Sequence, residues 1–452
     1  MVKKSAEWMV RKRYTTAIAI VAAIAVLLTA MAVLVQTDYS GDDVSGISQG
    51  DTAFVLVAAV LVMLMTPALG FFYGGLVRKK NLLSILVQSM VVFAVASIVW
   101  TLWGYSLAFG PSIGGFIGDL SHFALSGVGF APDAGYALTI PALLFFFFQL
   151  KFAAITPALI IGAFAERVKF SALIVFIILW VTLIYAPVAH WVWGNGGWLR
   201  GMGTLDFAGG TVVHVLAGLS ALAAAVVVGR RKGGNGSTRP NNIPFVILGT
   251  ALLWFGWFGF NGGSALAANG IAVNALVVTN IAAAFAALTW MGVDWLVKGK
   301  PTATGFAIGA VCGLVAITPA SGFVSPLASM VIGLVAGLAS NIVSSWRVER
   351  TKIDDTLDVF ACHGISGIWG ALATGIFATV AINPAGANGL LFGNGSQIMV
   401  QVTAVTITGL FAFIGSYVIL KVLDKTIGIR VSEHEEETGL DVAVHGEPAY
   451  DD

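Results

Sequence analysis

The chain has 452 residues, 58% of them apolar, with only 24 basic and 23 acidic side chains. Soluble domains carry about a quarter charged residues, so this composition excludes a disordered chain, a disulfide-stapled secreted domain and an ordinary cytosolic enzyme. A formal net charge of +1 gives no electrostatic footprint for nucleic acid.

In chain order, Lys3, Lys4, Arg11, Lys12 and Arg13 precede an apolar stretch from Ala17 to Leu28, followed by Ala30-Met31-Ala32. A basic n-region, an apolar h-region and small residues read as a signal peptide over residues 1–32. An uncleaved anchor is the alternative, because the apolar run continues to Val35. Both readings leave residue 40 outside. Eleven further apolar runs are predicted over 52–77, 82–109, 137–164, 170–192, 208–229, 243–260, 271–297, 302–320, 324–346, 359–382 and 397–423. They are long, continuous and without alternation, which argues for helices and against strands. The chain reads as an all-α polytopic membrane protein.

Cations fix the orientation. Seventeen fall in segments that become cytosolic when residue 40 is outside, among them Arg78-Lys79-Lys80, Arg230-Arg231-Lys232 and Arg347, whereas Arg200 is the one cation in an outer segment. The topology is therefore N-out and C-in. The transmembrane domain covers residues 50–430, and residues 431–452 form a cytosolic tail whose Glu433–Glu437 acidic run reads as solvated.

Three echoes recur in colinear order: Phe71-Phe72-Tyr73-Gly74-Gly75 with Gly259-Phe260-Asn261-Gly262-Gly263, Thr156-Pro157-Ala158 with Thr318-Pro319-Ala320, and His214…Gly218 with His363…Gly367. They pair runs one, three and five with runs six, eight and ten. A five-helix unit repeated directly alternates in orientation, so runs 1–5 and 6–10 read as two inverted five-helix repeats, with an eleventh helix added. Inverted symmetry then brings His214 and His363 together near the midplane.

Ionisable groups at membrane depth are expensive and usually functional. The candidates are Lys151, His190, Asp206, His214 and His363. Two neutral imidazoles sharing a proton suit a small neutral polar solute or a proton relay. A metal site is disfavoured, because no third histidine lies near and Cys362 falls off the His363 face. Cys312 and Cys362 lie in apolar runs and say little about redox compartment. Asp206, before Phe207-Ala208-Gly209-Gly210-Thr211, is read as a helix cap over a cation ligand. Aromatics gather toward the outer ends, where most form an interfacial belt. A cluster of them beside Ser264 would attract an ammonium-sized cation without a fixed charge.

These strings resemble the ammonium transporter family (Amt/Mep/Rh), its prokaryotic Amt branch in particular, from about residue 50 to the C-terminus. The resemblance rests on Phe71-Phe72-Tyr73-Gly74-Gly75-Leu76, Phe148-Gln149…Phe152-Ala153…Thr156 with Gly162-Ala163-Phe164-Ala165-Glu166-Arg167, Asp206…His214, Trp257-Phe258-Gly259-Phe260-Asn261 with Ser264, and Asp358…His363. It implies an outer recruitment site of Trp193, Phe152 and Ser264, a gate of Phe152 and Phe260, twin pore histidines His214 and His363, and structural support from Asp206. It implies ammonium, or methylammonium as analogue, recruited outside and conducted as ammonia, with or without the proton. It also implies a homotrimer in the plasma membrane and a PII-type signal protein docking on the cytosolic face. No cofactor is implied, and no nucleophile–base motif marks an enzyme. The alternative is an ammonium sensor of the same fold signalling through its tail, for which an appended signalling domain is expected and none follows Asp452. Lys151, beside Phe152, would repel ammonium if it lined the pore. A rotation of about 100° per residue allows it to face elsewhere, so it is expected to snorkel outward or to reach a carbonyl.

Overall fold

The eleven apolar runs after residue 50 become eleven helices in the computed structural model, which describes residues 2–35, 39–232 and 239–450. Behind an N-terminal helix α1 (Val2–Leu34) come α2 (Gln49–Leu76), α3 (Lys79–Phe109), α4 (Ala142–Ala163), α5 (170–193), α6 (Gly210–Val228), α7 (Ile243–Gly262), α8 (Gly270–Lys298), α9 (Ala303–Ile317), α10 (Pro326–Arg350), α11 (Phe360–Phe377) and α12 (Ser396–Thr426). Met1, the last two residues of the tail and the side chains of Lys3, Lys4 and Arg11 lie outside the described residues. From residue 12 to 33 α1 is almost wholly exposed and covers none of the bundle core.

Among the described residues eleven helices are long and apolar enough to cross a membrane, and α1 is one of them. The run predicted over 302–320 is shorter than a full span: α9 has 15 residues, and Thr318-Pro319-Ala320 leaves the helix in a turn. A helix enclosed by protein need not match the thickness of the bilayer, and residues 309–317 are all buried. Its neighbours approach closely because both sides are small. A Cβ on Gly309 would lie 2.7 Å from the Ala286 carbonyl oxygen, and one on Gly313 would lie 2.5 Å from that of Ala282. Gly337 of α10 presses on Ala286 from the other side, also at 2.5 Å. Small residues let backbones touch where lipid provides no hydrophobic drive.

The run predicted from 137 is a helix only from Ala142. Ala137–Pro141 pairs antiparallel with Pro132–Asp133, and Ser112–Ile113 pairs with Ile117–Gly118, so two short hairpins shape the outer loop. Pro141, with extended backbone, ends the strand and admits the helix.

The loops assigned to the inside meet on one face. Glu166 accepts from the Arg78 Nε at 2.6 Å and the Arg231 guanidinium at 3.4 Å, while Arg231 also binds Asp354 at 2.9 Å. Burial pushes Asp354 up, yet hydrogen bonds from Arg231 and the charges of Arg167 and Arg231 hold it at about 2.

Most of the acidic run is exposed, as expected, but Glu436 is not. Glu433–Thr438 forms a short helix, α13, with a capping box at Ser432 and Glu435. Glu436 is 1% exposed and binds Arg430 at 2.7 Å. Asp441 accepts from the backbone N–H groups of Leu83 and Ser84, where α3 passes from its opening 3-10 turn into α-helix at Leu82. His445 packs edge-on against Phe170, centroids 5.5 Å apart. Basic loops that had no partner in sequence order thus supply the counter-charges that dock the tail.

Candidate functional site

His214, Phe260 and His363 all lie in π-helical turns: Gly210–Val215 opening α6, Phe258–Gly262 closing α7, and Phe360–Ile365 opening α11. Such turns shift side chains off the 3.6-residue register and recur at functional sites.

Helices α6 and α11 cross where both lack bulk. A Cβ on Gly218 would run into the backbone of Gly364, and one on Gly367 would lie 3.0 Å from the His214 Cβ and the Val215 nitrogen. This reciprocal crossing sets the imidazoles face to face, with centroids 5.3 Å apart, planes within 18° and Nδ1 to Nδ1 3.3 Å. One ring donates its Nδ1–H and the other accepts, so the pair holds opposite tautomers. Trp257 stacks on the other side of His214 at 5.3 Å, anchored by donating Nε1–H to Thr318 Oγ1 at 2.9 Å. Trp257 therefore belongs to the site, and not to an interfacial belt.

Each histidine helix starts under a carboxylate eight residues upstream of its histidine. Asp206 accepts from the N–H groups of Gly209, Gly210, Thr211 and Val212 at 2.6–3.0 Å, with Gly209 at φ +110. Asp355 accepts from Val359 and Phe360 at 3.1 and 2.7 Å. Negative charge and acceptors complete the orphan donors of a helix start. The equal spacing was legible in the sequence. Asp355 is not among the sequence candidates because it lies in the loop before α11, outside the runs at membrane depth.

Above the histidines an outer cavity of about 490 Å³ is lined by Gln149, Phe152, Trp193, Asp206 and Ser264 among others. Trp193 donates its indole N–H to the Asp206 carbonyl at 2.9 Å, and Ser264 donates to the Phe260 carbonyl at 2.8 Å, which leaves the Ser264 oxygen free to accept. The Gln149 Oε1 is buried without a hydrogen-bond donor among the described residues. Sequence reasoning did not give Gln149 a role, since nothing in its motif shows where its amide points.

The floor of the cavity is shut by Phe152 and Phe260, each 1% exposed, with centroids 4.4 Å apart, and Phe152 meets Trp193 edge-on at 6.0 Å. Beneath them a cavity of about 10 Å³ is bounded by apolar side chains with His214, Trp257, Phe260 and His363. Such a volume holds about one water-sized molecule.

Lys151 lines neither of these cavities, and among the described residues it reaches no carbonyl. Its Nζ stands 3.5 Å from the ring centre of Phe147 and 5.2 Å from that of Phe93, on the side of α4 turned away from the path. Where an outward snorkel or a carbonyl contact was expected, the Lys151 ammonium makes a cation–π contact, worth more when desolvated. His190 is tied to the Ala108 carbonyl at 2.9 Å and Ser112 Oγ at 2.8 Å, away from both cavities. Among the described residues no three His, Cys, Asp or Glu side chains form a metal-binding group.

Burial, aided by the neighbouring Asp358 and opposed by Arg347 and two backbone N–H groups, raises Asp355 to about 6. A carboxyl with a raised folded-state pKa binds its proton more tightly when folded, so its penalty disappears as pH falls through about 6 and returns as pH rises. The melting temperature of the detergent-solubilised protein, minus that of Asp355→Asn, should therefore increase by a few degrees between pH 7 and pH 5. A constant difference across that window would contradict the assignment.

A model described as Ammonium Transporter Family matches residues 53–450. An ammonium transporter of Bacillus subtilis is 50% identical over 407 residues, covering 89% of this chain and 99% of that protein. The crystal structure of Saccharomyces cerevisiae Mep2 superposes with TM-score 0.81 at 36% identity, covering 86% of this chain and 88% of that one. A structure described as a sensor Amt protein superposes with TM-score 0.80 at 33% identity, covering 87% and 98%.

Proposed function

This chain belongs to the ammonium transporter family, and on that premise we propose that it takes up ammonium through the path just described, recruiting the cation outside and passing ammonia inward. One observation carries the reading: a contacting histidine pair stands beneath an aromatic gate, in a lumen of about 10 Å³ that is lined, among the described residues, by no carboxylate or lysine.

At the mouth, Trp193 and Phe152 present ring faces and edges, while the Ser264 oxygen and Gln149 Oε1 supply acceptors. Asp206 spends its lone pairs on four backbone donors and so supports the site without gripping the cation. That moderates affinity, as a conductor requires. The aromatic gate rejects hydrated metal ions, because the space below has no room for a hydration shell. A bare ammonium ion there would carry a large desolvation cost, so the proton leaves before or at the histidines. Ammonia then exchanges hydrogen bonds with imidazoles that both donate and accept.

Methylammonium uptake by cells lacking their own transporters tests this. Loss of one acceptor for a charged donor costs about 1.5 kcal/mol or more, close to tenfold in affinity. Ser264→Ala and Gln149→Leu should each raise the KM toward tenfold with little change in the maximal rate. An unchanged KM in both would remove the recruitment site from the account. The sensor reading, favoured by the likeness to a sensor Amt structure, predicts binding with negligible flux in the same cells.

The colinear echoes, the reciprocal Gly218–Gly364 crossing and the twin caps support two inverted repeats, α2–α6 and α7–α11. A homotrimer is proposed, and Asn280, exposed on α8 beside a groove of Phe258, Leu276, Val277 and Ile281, would lie at a contact between subunits. Polar groups at membrane depth call for a partner, and the mass of the solubilised assembly checks the number of subunits. Residues 1–32 remain proposed as a leader, which N-terminal sequencing of the membrane-purified protein decides. The docked tail and its basic surroundings are proposed as the PII-type docking face, and deleting residues 431–450 should abolish capture by such a protein.

A further inference from the structure

The chain has two cysteines, in different helices and fifty positions apart, and the fold brings their Sγ atoms to 3.4 Å. Cys312 lies in α9, next to Val311, which lines the cavity between gate and histidines; Cys362 lies in the π-helical turn of α11, next to His363. Both are free thiols, Cys312 fully enclosed and Cys362 5% exposed. A lone buried cysteine is ordinary packing. Two that meet across helices, one of them adjacent in sequence to a pore histidine, are a pair positioned to react.

We propose that Cys312 and Cys362 are an oxidative modification site, closed to a disulfide by a peroxide. The Cys362 sulfur, the less enclosed of the two, attacks one peroxide oxygen; the O–O bond breaks, a sulfenic acid forms and one water leaves. The Cys312 sulfur then attacks the sulfenic sulfur, the S–S bond forms and a second water departs. Two thiols and one hydrogen peroxide become one disulfide and two waters, with the sulfurs oxidised and the peroxide reduced. Hydrogen peroxide is small and uncharged, as a solute of this path must be. Burial slows its access, so the pair responds to sustained exposure and not to a brief pulse.

Closing the bond draws the sulfurs from 3.4 Å to about 2.05 Å. The turn that carries His363 is thereby pulled toward α9. The histidine contact is only 3.3 Å long and is set by that turn, so the disulfide disturbs the pair without touching either imidazole.

The test uses the full-length protein in proteoliposomes, treated with hydrogen peroxide, then denatured and labelled with a maleimide. The expected result is loss of both labels with a mass decrease of two hydrogens, restored by dithiothreitol. Methylammonium uptake should fall several-fold in parallel and recover with the reductant. Cys312→Ser should show no disulfide and resist the loss of uptake, and Cys362→Ser provides the same control if the first variant folds poorly. Two labels surviving sustained peroxide would overturn the site. A wild-type-like loss of uptake in both serine variants would overturn the link to the pore. The labelling readout holds whatever solute the protein carries.

Discussion

Replacing His363 by alanine is expected to lower methylammonium uptake at least tenfold and to let potassium through. In the wild type the space between the gate and the pair, about 10 Å³, admits about one water-sized molecule and no hydrated ion. Removing an imidazole frees a volume of roughly two waters, each about 30 Å³ in the liquid. A continuous water chain then replaces the stacked rings, and a partly hydrated cation can be solvated throughout. Ammonia also loses the partner that both donates and accepts, and His214 loses the Nδ1 contact that holds its tautomer. His214→Ala removes the ring stacked on Trp257 and His363 and should act in the same direction. Potassium flux and methylammonium uptake in proteoliposomes measure both effects. Wild-type uptake with intact potassium exclusion in either variant would sink the paired-histidine account.

Asp206→Ala should be nearly as damaging, for a different reason. The carboxylate satisfies four backbone N–H groups at the start of the helix that bears His214, and the residue is 7% exposed. Each buried donor left unmade costs about 1–3 kcal/mol, so the loss is roughly 4 kcal/mol or more even with partial relaxation. The π-helical turn would unwind or rotate, and the histidine contact, with little slack at 3.3 Å, would open. Asp206→Asn retains one acceptor oxygen and should be milder. Melting temperature and KM separate this role from cation binding. A cap predicts a lower melting temperature together with lost uptake. A wild-type melting temperature with only a raised KM would instead make Asp206 a ligand.

Much of the fold was legible because the membrane imposes constraints that act along the chain. Transfer of each residue into lipid is nearly additive, so apolar runs located all eleven bundle helices, including α9, which proved shorter than a span. Sorting the cations grouped the loops, and Glu166, Arg231 and Asp354 show those loops in contact. The site was less legible. Gln149 and Trp257 sit within recognisable strings, yet their places depend on the α4 and α7 backbones relative to α6 and α9. Glu436 was not foreseen as buried for the same reason: besides the nearby Arg430 it accepts from the backbone of Lys232, which lies outside its local sequence. Lys151 was expected to snorkel outward or to reach a carbonyl, since sequence cannot foresee that Phe93 and Phe147 flank it.

By itself the sequence determined that this is a multi-pass membrane protein, which way its loops divide, and which few polar groups lie at depth. Those follow from hydration and charge, properties that each segment carries wherever its neighbours are. The echoes already drew His214 and His363 together; only the tertiary structure decided their Nδ1 contact at 3.3 Å, that Trp257 backs the pair, that Cys312 meets Cys362 and that the tail is docked. Most of those contacts depend on close approach between separate helices and loops, made possible by glycines such as Gly218 and Gly364 and by π-helical turns that break the regular period. Local propensity carries no record of such approaches, because they are set by packing.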